Sequence, residues 1–149
     1  MRIEGQFLFK DISRTALWDF LTNPDRIAQC LPGCEKLVKT GDDTYDLTLK
    51  IGIGPVHGTF TGSIRLHDLN PVSEYQMSVS GKGVPGFVNG QGKVALSEEG
   101  AGVQLQYLGD VTAGGAIAAV GQRVMGGAAR MVIDQFFKCA ANKLASSGA

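Results

Sequence analysis

The chain has 149 residues, with 14 basic and 14 acidic side chains and 44% hydrophobic residues. That is one domain's worth, residues 1–149, and a domain of this size buries about 70% of its unfolded surface, enough for a core without covalent staples. Formal charge balance without a Lys/Arg run argues against nucleic acid as a partner. The start lacks a charged region leading into an apolar stretch, and no run of about eighteen apolar residues occurs, so neither a signal peptide nor a spanning helix is expected and the location reads as cytoplasmic.

Residues 2 to 11 alternate, with Ile3, Gly5, Phe7 and Phe9 on one side, and read as a half-buried strand. Ser13 offers an N-cap to a short helix carrying Ala16, Leu17, Trp18, Phe20 and Leu21. Asn23-Pro24 starts a second short helix running to about Cys30, and Pro32-Gly33 ends it. From Glu35 the period is two. Tyr45, Leu47, Leu49, Ile51 and Ile53 share one parity, then Val56, Gly58, Phe60, Gly62, Ile64 and Leu66. Tyr75, Met77 and Val79 follow, then Val88, Gly90, Gly92, Val94 and Leu96, then Val103, Leu105, Tyr107 and Val111. Turn chemistry at Gly41-Asp42-Asp43, Gly54-Pro55, Asn70-Pro71, Val84-Pro85-Gly86 and Glu99-Gly100 divides this region into six strands.

The segment from Ala116 to about Ala145 reads as one helix, roughly 45 Å long at 1.5 Å per residue, long enough to lie across a whole sheet. Its polar stripe is Arg123, Gly127, Arg130, Asp134 and Lys138; Met125, Ala128, Ala129, Val132, Phe136, Cys139 and Ala140 form the opposite face. The first half is nearly all small residues and the second carries Ile133, Phe136, Phe137 and Leu144. Gly121, Gly126 and Gly127 would each destabilise a helix by roughly 1 kcal/mol relative to alanine. Close packing on the sheet, a kink or contact with another helix would explain them, and so would space left for a ligand.

A strand, two short helices, a six-stranded antiparallel meander and a terminal helix make an α+β fold with helix on one sheet face and water on the other. Counting reversals places the stretches around Leu31–Cys34, Gly52–Pro55, Gly81–Asn89 and Thr112–Ala116 at one end, beside the small-residue half of the helix. Gly58, Gly62, Gly90, Gly92 and Gly109 fall at inward positions where a side chain should fill the core, so an apolar cavity is expected. Its expected lining is Leu31, Tyr45, Leu47, Leu49, Phe60, Met77, Val79, Phe87, Val88, Tyr107, Val120, Val124, Met125 and Ala128. Tyr45 and Tyr107, with Asn89 or Gln91, are its expected polar groups, enough to orient a ligand oxygen but short of an acid–base pair. No catalytic residue is assigned. His57 and His67 read as solvated outer-face side chains away from any nucleophile.

Two histidines are too few for a four-ligand metal site, and no cofactor is expected. The cysteines Cys30, Cys34 and Cys139 are odd in number, and Leu-Pro-Gly between the first two does not match a zinc spacer, so reduced, mostly buried thiols are expected. The Gly114-Gly115 start of the long helix offers free N–H groups, as any helix start does.

Several phrases together resemble the G-subunit family of carbon monoxide dehydrogenase, within the START-like, Bet v 1-like helix-grip superfamily. They are Asn23-Pro24 through Cys30-Leu31-Pro32-Gly33-Cys34, Gly52-Ile53-Gly54-Pro55-Val56 with Gly58-Thr59-Phe60, and Gly121-Gln122-Arg123 leading to Ala129-Arg130 and Phe136-Phe137. The resemblance implies a seven-stranded curved antiparallel sheet wrapped around a long C-terminal helix and an apolar cavity. It also implies association with a molybdenum hydroxylase of the carbon monoxide dehydrogenase type, in maturation, recruitment or electron transfer, with the cavity suited to a quinone or other lipid. Members that bind membranes carry an extension past the long helix, whereas this sequence stops at Ser146-Ser147-Gly148-Ala149, so at most a transient, peripheral contact with the inner membrane face is expected. A non-catalytic carrier or accessory protein is the leading expectation. A cyclase or dehydratase on the same fold and a purely structural assembly factor are the alternatives.

Overall fold

In the computed structural model, which describes residues 1–146, strand β1 (Arg2–Phe9) leads into helices α1 (Arg14–Leu21) and α2 (Pro24–Cys30). Six strands follow: β2 (Cys34–Gly41), β3 (Thr44–Ile53), β4 (Val56–Asn70), β5 (Glu74–Gly83), β6 (Gly86–Glu99) and β7 (Gly102–Gly114). A 3₁₀ turn (Ala116–Val120) then leads to helix α3 (Gln122–Ser146). The residues after 146, where the sequence ends in Ser147-Gly148-Ala149, lie outside the described residues, as does the side chain of Ile53.

The strands form one antiparallel sheet in the order β1-β7-β6-β5-β4-β3-β2, six consecutive hairpin partners with β1 closing on β7. Its concave face is the inward parity read from the sequence, as Leu47, Phe60, Leu66, Tyr75, Leu96 and Leu105 are buried there. The two short helices are started by their own caps. Ser13 Oγ accepts from the Ala16 N–H, and Asn23 Oδ1 accepts from the N–H groups of Asp25 and Arg26, with Pro24 in the first turn. Leu17, Phe20 and Leu21 of α1 are thereby driven into the core beside Phe9.

Two expectations are corrected. The terminal helix is shorter than the sequence pattern implies. Gly121 stands at φ 89° and ψ 153°, a left-handed, extended geometry that interrupts helical bonding, so Ala116–Val120 forms a separate 3₁₀ turn and α3 begins at Gln122. The remaining 25 residues still span roughly 37 Å.

The cysteines are not all reduced thiols: Cys30 and Cys139 form a disulfide with Cα atoms 5.4 Å apart, leaving Cys34 free. Sequence spacing drew attention to Cys30 and Cys34, but it is the crossing of α2 and α3 that brings Cys30 to Cys139 across 109 residues.

A loop of that length loses much of its unfolded-state freedom when closed, so Cys139→Ser should lower the unfolding free energy of the oxidised protein by about 2–5 kcal/mol. Chemical denaturation with and without a thiol reductant checks this. The wild-type protein should fall toward the variant on reduction, while the variant itself stays unchanged.

Candidate functional site

Between the concave sheet face and the helices lies an apolar cavity of about 510 Å³, within the range of small-molecule pockets. It is bounded by two separate apolar clusters. The larger joins Phe9, Leu17, Phe20, Leu105, Phe137 and Leu144 at the end where α3 finishes. The smaller joins Val56, Phe60, Ile117 and Ala128 at the loop end. Between them Leu49, Ile64, Met77, Val79, Val111, Ile133 and Phe136 all line the cavity, and all stay only partly covered despite facing inward. A packed interior would bury them.

Glycine makes the space in two different ways. At Gly62 a Cβ would overlap the Ser80 carbonyl oxygen of β5, and at Gly58 it would meet the Pro85 ring, so these two residues permit close strand and loop approach. At Gly90 a Cβ would sit 3.5 Å from Asp110 O and Val111 Cγ2, and at Gly81 3.8 Å from Thr61 O, ordinary contact distances. Side chains would fit there. Their absence leaves volume open rather than relieving a clash.

The inward-facing polar side chains are three phenols, Tyr45, Tyr75 and Tyr107, and none of their hydroxyls makes a hydrogen bond among the described residues. Burial pushes all three up from the ordinary phenol range. Tyr75, packed edge-on against Trp18 at 5.5 Å, is raised most, first by desolvation and then by the neighbouring Tyr45. At Tyr45 desolvation leads and Asp43 adds to it. At Tyr107 desolvation leads, with Arg130 lowering the value and Asp134 raising it. Neutral phenols facing an apolar void can donate to a ligand oxygen; they supply neither a base nor a charge.

Of the residues expected to line the cavity, Leu31, Tyr45, Leu47, Leu49, Phe60, Met77, Val79, Val88, Tyr107, Met125 and Ala128 do so. Three do not. Phe87 pairs with Lys82 and Gly114 on the outward parity, its ring lying over Gly114. Val120 packs into the smaller cluster, and Val124 is exposed on the first turn of α3. Asn89 is exposed on the outer face, and Gln91 shares its parity, bordering the cavity between Gly90 and Gly92. The sequence reading missed Tyr75 as a polar lining group although its parity placed it inward, and missed the contribution of α2 through Pro24 and Ile27, because a seven-residue helix carries too few apolar positions to declare its face.

One outer-face reading is corrected. His67 does meet a nucleophile: its Nε2 lies 3.3 Å from Ser78 Oγ, and its Nδ1 2.8 Å from Asp68 Oδ2. The contact arises because Ser78 sits diagonally across the β4–β5 pair from His67. The trio is a cross-strand polar contact on the outer sheet face. Burial pushes the Cys34 thiol up, away from thiolate reactivity. Among the described residues no cluster of three His, Cys, Asp or Glu side chains could hold a metal ion.

A curved antiparallel sheet gripping a terminal helix over an apolar cavity defines the START-like, Bet v 1-like helix-grip class. The family model for the G subunit of carbon monoxide dehydrogenase (CoxG) matches residues 5–145, and the chain belongs to that family. A conserved protein from Geobacillus kaustophilus is 34% identical, with a TM-score of 0.94 over 99% of this chain and 97% of that one. A START superfamily protein from Mycobacterium smegmatis is 10% identical, with a TM-score of 0.73 over 97% of both chains. Ara h 8.0201 is 13% identical, with a TM-score of 0.69 over 98% of both, and these last two likenesses concern the fold. No curated protein matches the chain.

Two measurements check the site. Ultraviolet titration of the phenols should show the cavity tyrosines ionising above the ordinary value near 10, with Tyr75→Phe removing the last to ionise. Because the folded values are raised, the stability they confer is complete below about pH 10 and falls as pH rises beyond it, where the unfolded chain releases protons that the folded one retains. Gly62→Ala should destabilise by about 1–3 kcal/mol, whereas Gly90→Ala should stay within about 0.5 kcal/mol, as read by denaturant unfolding.

Proposed function

We propose that this protein is a non-catalytic carrier that holds a hydrophobic small molecule, an isoprenoid quinone or another lipid, in its cavity and serves a molybdenum hydroxylase of the carbon monoxide dehydrogenase type in maturation, recruitment or electron transfer. The observation that carries the reading is the void itself. Inward apolar side chains of β3 to β7 and α3 stay partly uncovered around about 510 Å³, with phenol hydroxyls as their inward polar groups. An apolar space of this kind excludes water, which finds too few partners there, and favours a ligand that restores the missing dispersion contacts. Membership of the CoxG family supports the accessory role and the kind of partner. A carrier is favoured over a cyclase or dehydratase because neutral phenols offer no base inside the cavity.

Native mass spectrometry of the freshly purified protein, followed by solvent extraction, should find a co-purifying lipophilic molecule. Gly90→Leu directs an isobutyl group into the cavity from a position with room for its Cβ, and should reduce the bound lipid at least about tenfold while leaving the circular dichroism spectrum unchanged. An empty wild-type protein that also takes up no added menaquinone or phospholipid would overturn the reading.

A further inference from the structure

Helix α2 walls one side of the cavity yet is lightly seated. It packs against β2, the edge strand of the sheet, and against α3, and it contributes Pro24 and Ile27 to the lining, with Leu31 following at its end. Of its seven residues only Cys30 is buried. Asp25 and Gln29 are exposed, and Pro24, Arg26, Ile27 and Ala28 are partly covered. Its polar contacts gather at its start, where Asn23 caps it and the Arg26 guanidinium sits 4.8 Å over the Phe20 ring. A helix far shorter than about 12 residues does not hold its conformation alone in water, so ties to its neighbours keep it in place.

The tie at its other end is covalent. Cys30, the last residue of α2, is bonded to Cys139 of α3. The two sulfurs are unequally placed: Cys30 is buried, whereas Cys139 is partly exposed. Helix α3 has its own anchorage in Phe137, Ala140 and Leu144, all buried, so cutting the bond frees α2 and leaves α3 seated. Past α2 the chain is pinned again, as Gly33 O accepts from the Lys50 N–H at 2.8 Å. Release is thereby confined to the segment between Asn23 and Gly33.

We propose that the Cys30–Cys139 disulfide is a redox latch on the cavity: oxidised, it holds α2 between β2 and α3 and shuts that side; reduced, it lets α2 swing out and the ligand pass. The reductant is a dithiol, and exchange starts at the accessible sulfur. One thiolate of the dithiol attacks Cys139 Sγ, the Cys30–Cys139 bond breaks, and Cys30 leaves as a thiolate that takes up a proton. The second thiol of the reductant, as its thiolate, then attacks the mixed disulfide. Cys139 leaves and is protonated, and the reductant departs as its own disulfide, having passed two electrons and two protons to the protein. The latch rests on the carrier reading for its purpose; the loosening of α2 needs no ligand.

Hydrogen–deuterium exchange and stopped-flow entry of the apolar dye Nile red, each with and without dithiothreitol, test it. In the first minutes of labelling, dithiothreitol should speed exchange at residues 25–31 at least about tenfold while β6 and β7 stay protected. Dye entry should quicken by a similar factor. Cys139→Ser should behave as the reduced protein under both conditions, and Cys34→Ser should respond like the wild type. Equal exchange in α2 in both redox states, unchanged dye entry, or a response that requires Cys34 would overturn the proposal. So would loss of protection in β6 and β7 together with α2, because reduction would then unfold the chain instead of releasing one helix. Protein that takes up no dye in either state would count against the carrier reading, while exchange in α2 still decides whether the disulfide holds that helix.

Discussion

Phe137 of α3 packs 5.5 Å from Phe7, 5.9 Å from Phe9 and 5.8 Å from Tyr107, while Phe136 meets Phe20 of α1 at 6.2 Å. This aromatic joint fixes the second half of the helix onto β1, β7 and α1, with Ala140 and Leu144 fully buried behind it. Aromatic contacts of this geometry add about 0.5–1.5 kcal/mol per pair beyond the area they bury. The remainder of the helix extends from that joint across the sheet, and its Ala128 closes on Val56 and Phe60 of β4 at the loop end. The cavity is therefore the space left between two separate contacts of one helix with the sheet.

Leaving such a volume open forgoes dispersion contacts along its lining. The fold tolerates this because closure is achieved separately at both ends, by the aromatic joint on one side and by the Val56, Phe60, Ile117 and Ala128 cluster on the other. The disulfide between Cys30 and Cys139 adds a covalent tie between α2 and α3, both of which line the void. A ligand occupying the space would stabilise the folded chain in proportion to its free concentration over its dissociation constant, so binding and stability are linked here.

Much of this was legible in the chain before any coordinates. Period-two alternation, capping at Ser13 and Asn23, and proline–glycine punctuation determined seven strands, two short helices and a terminal helix, because each of those signals is local. The inward glycines also marked a cavity, and eleven of the fourteen residues expected to line it do so. Three things needed the tertiary structure. Whether a strand glycine relieves a clash, as at Gly62, or leaves room, as at Gly90, depends on the neighbouring strand's atoms. The meeting of Cys30 with Cys139, and of His67 with Ser78, depends on element crossing and register. The outward side of Phe87, by contrast, follows from the same alternation that turns Val88 inward. Sequence specifies which residues share a face; the distance across the space that the face encloses is set only when the elements pack.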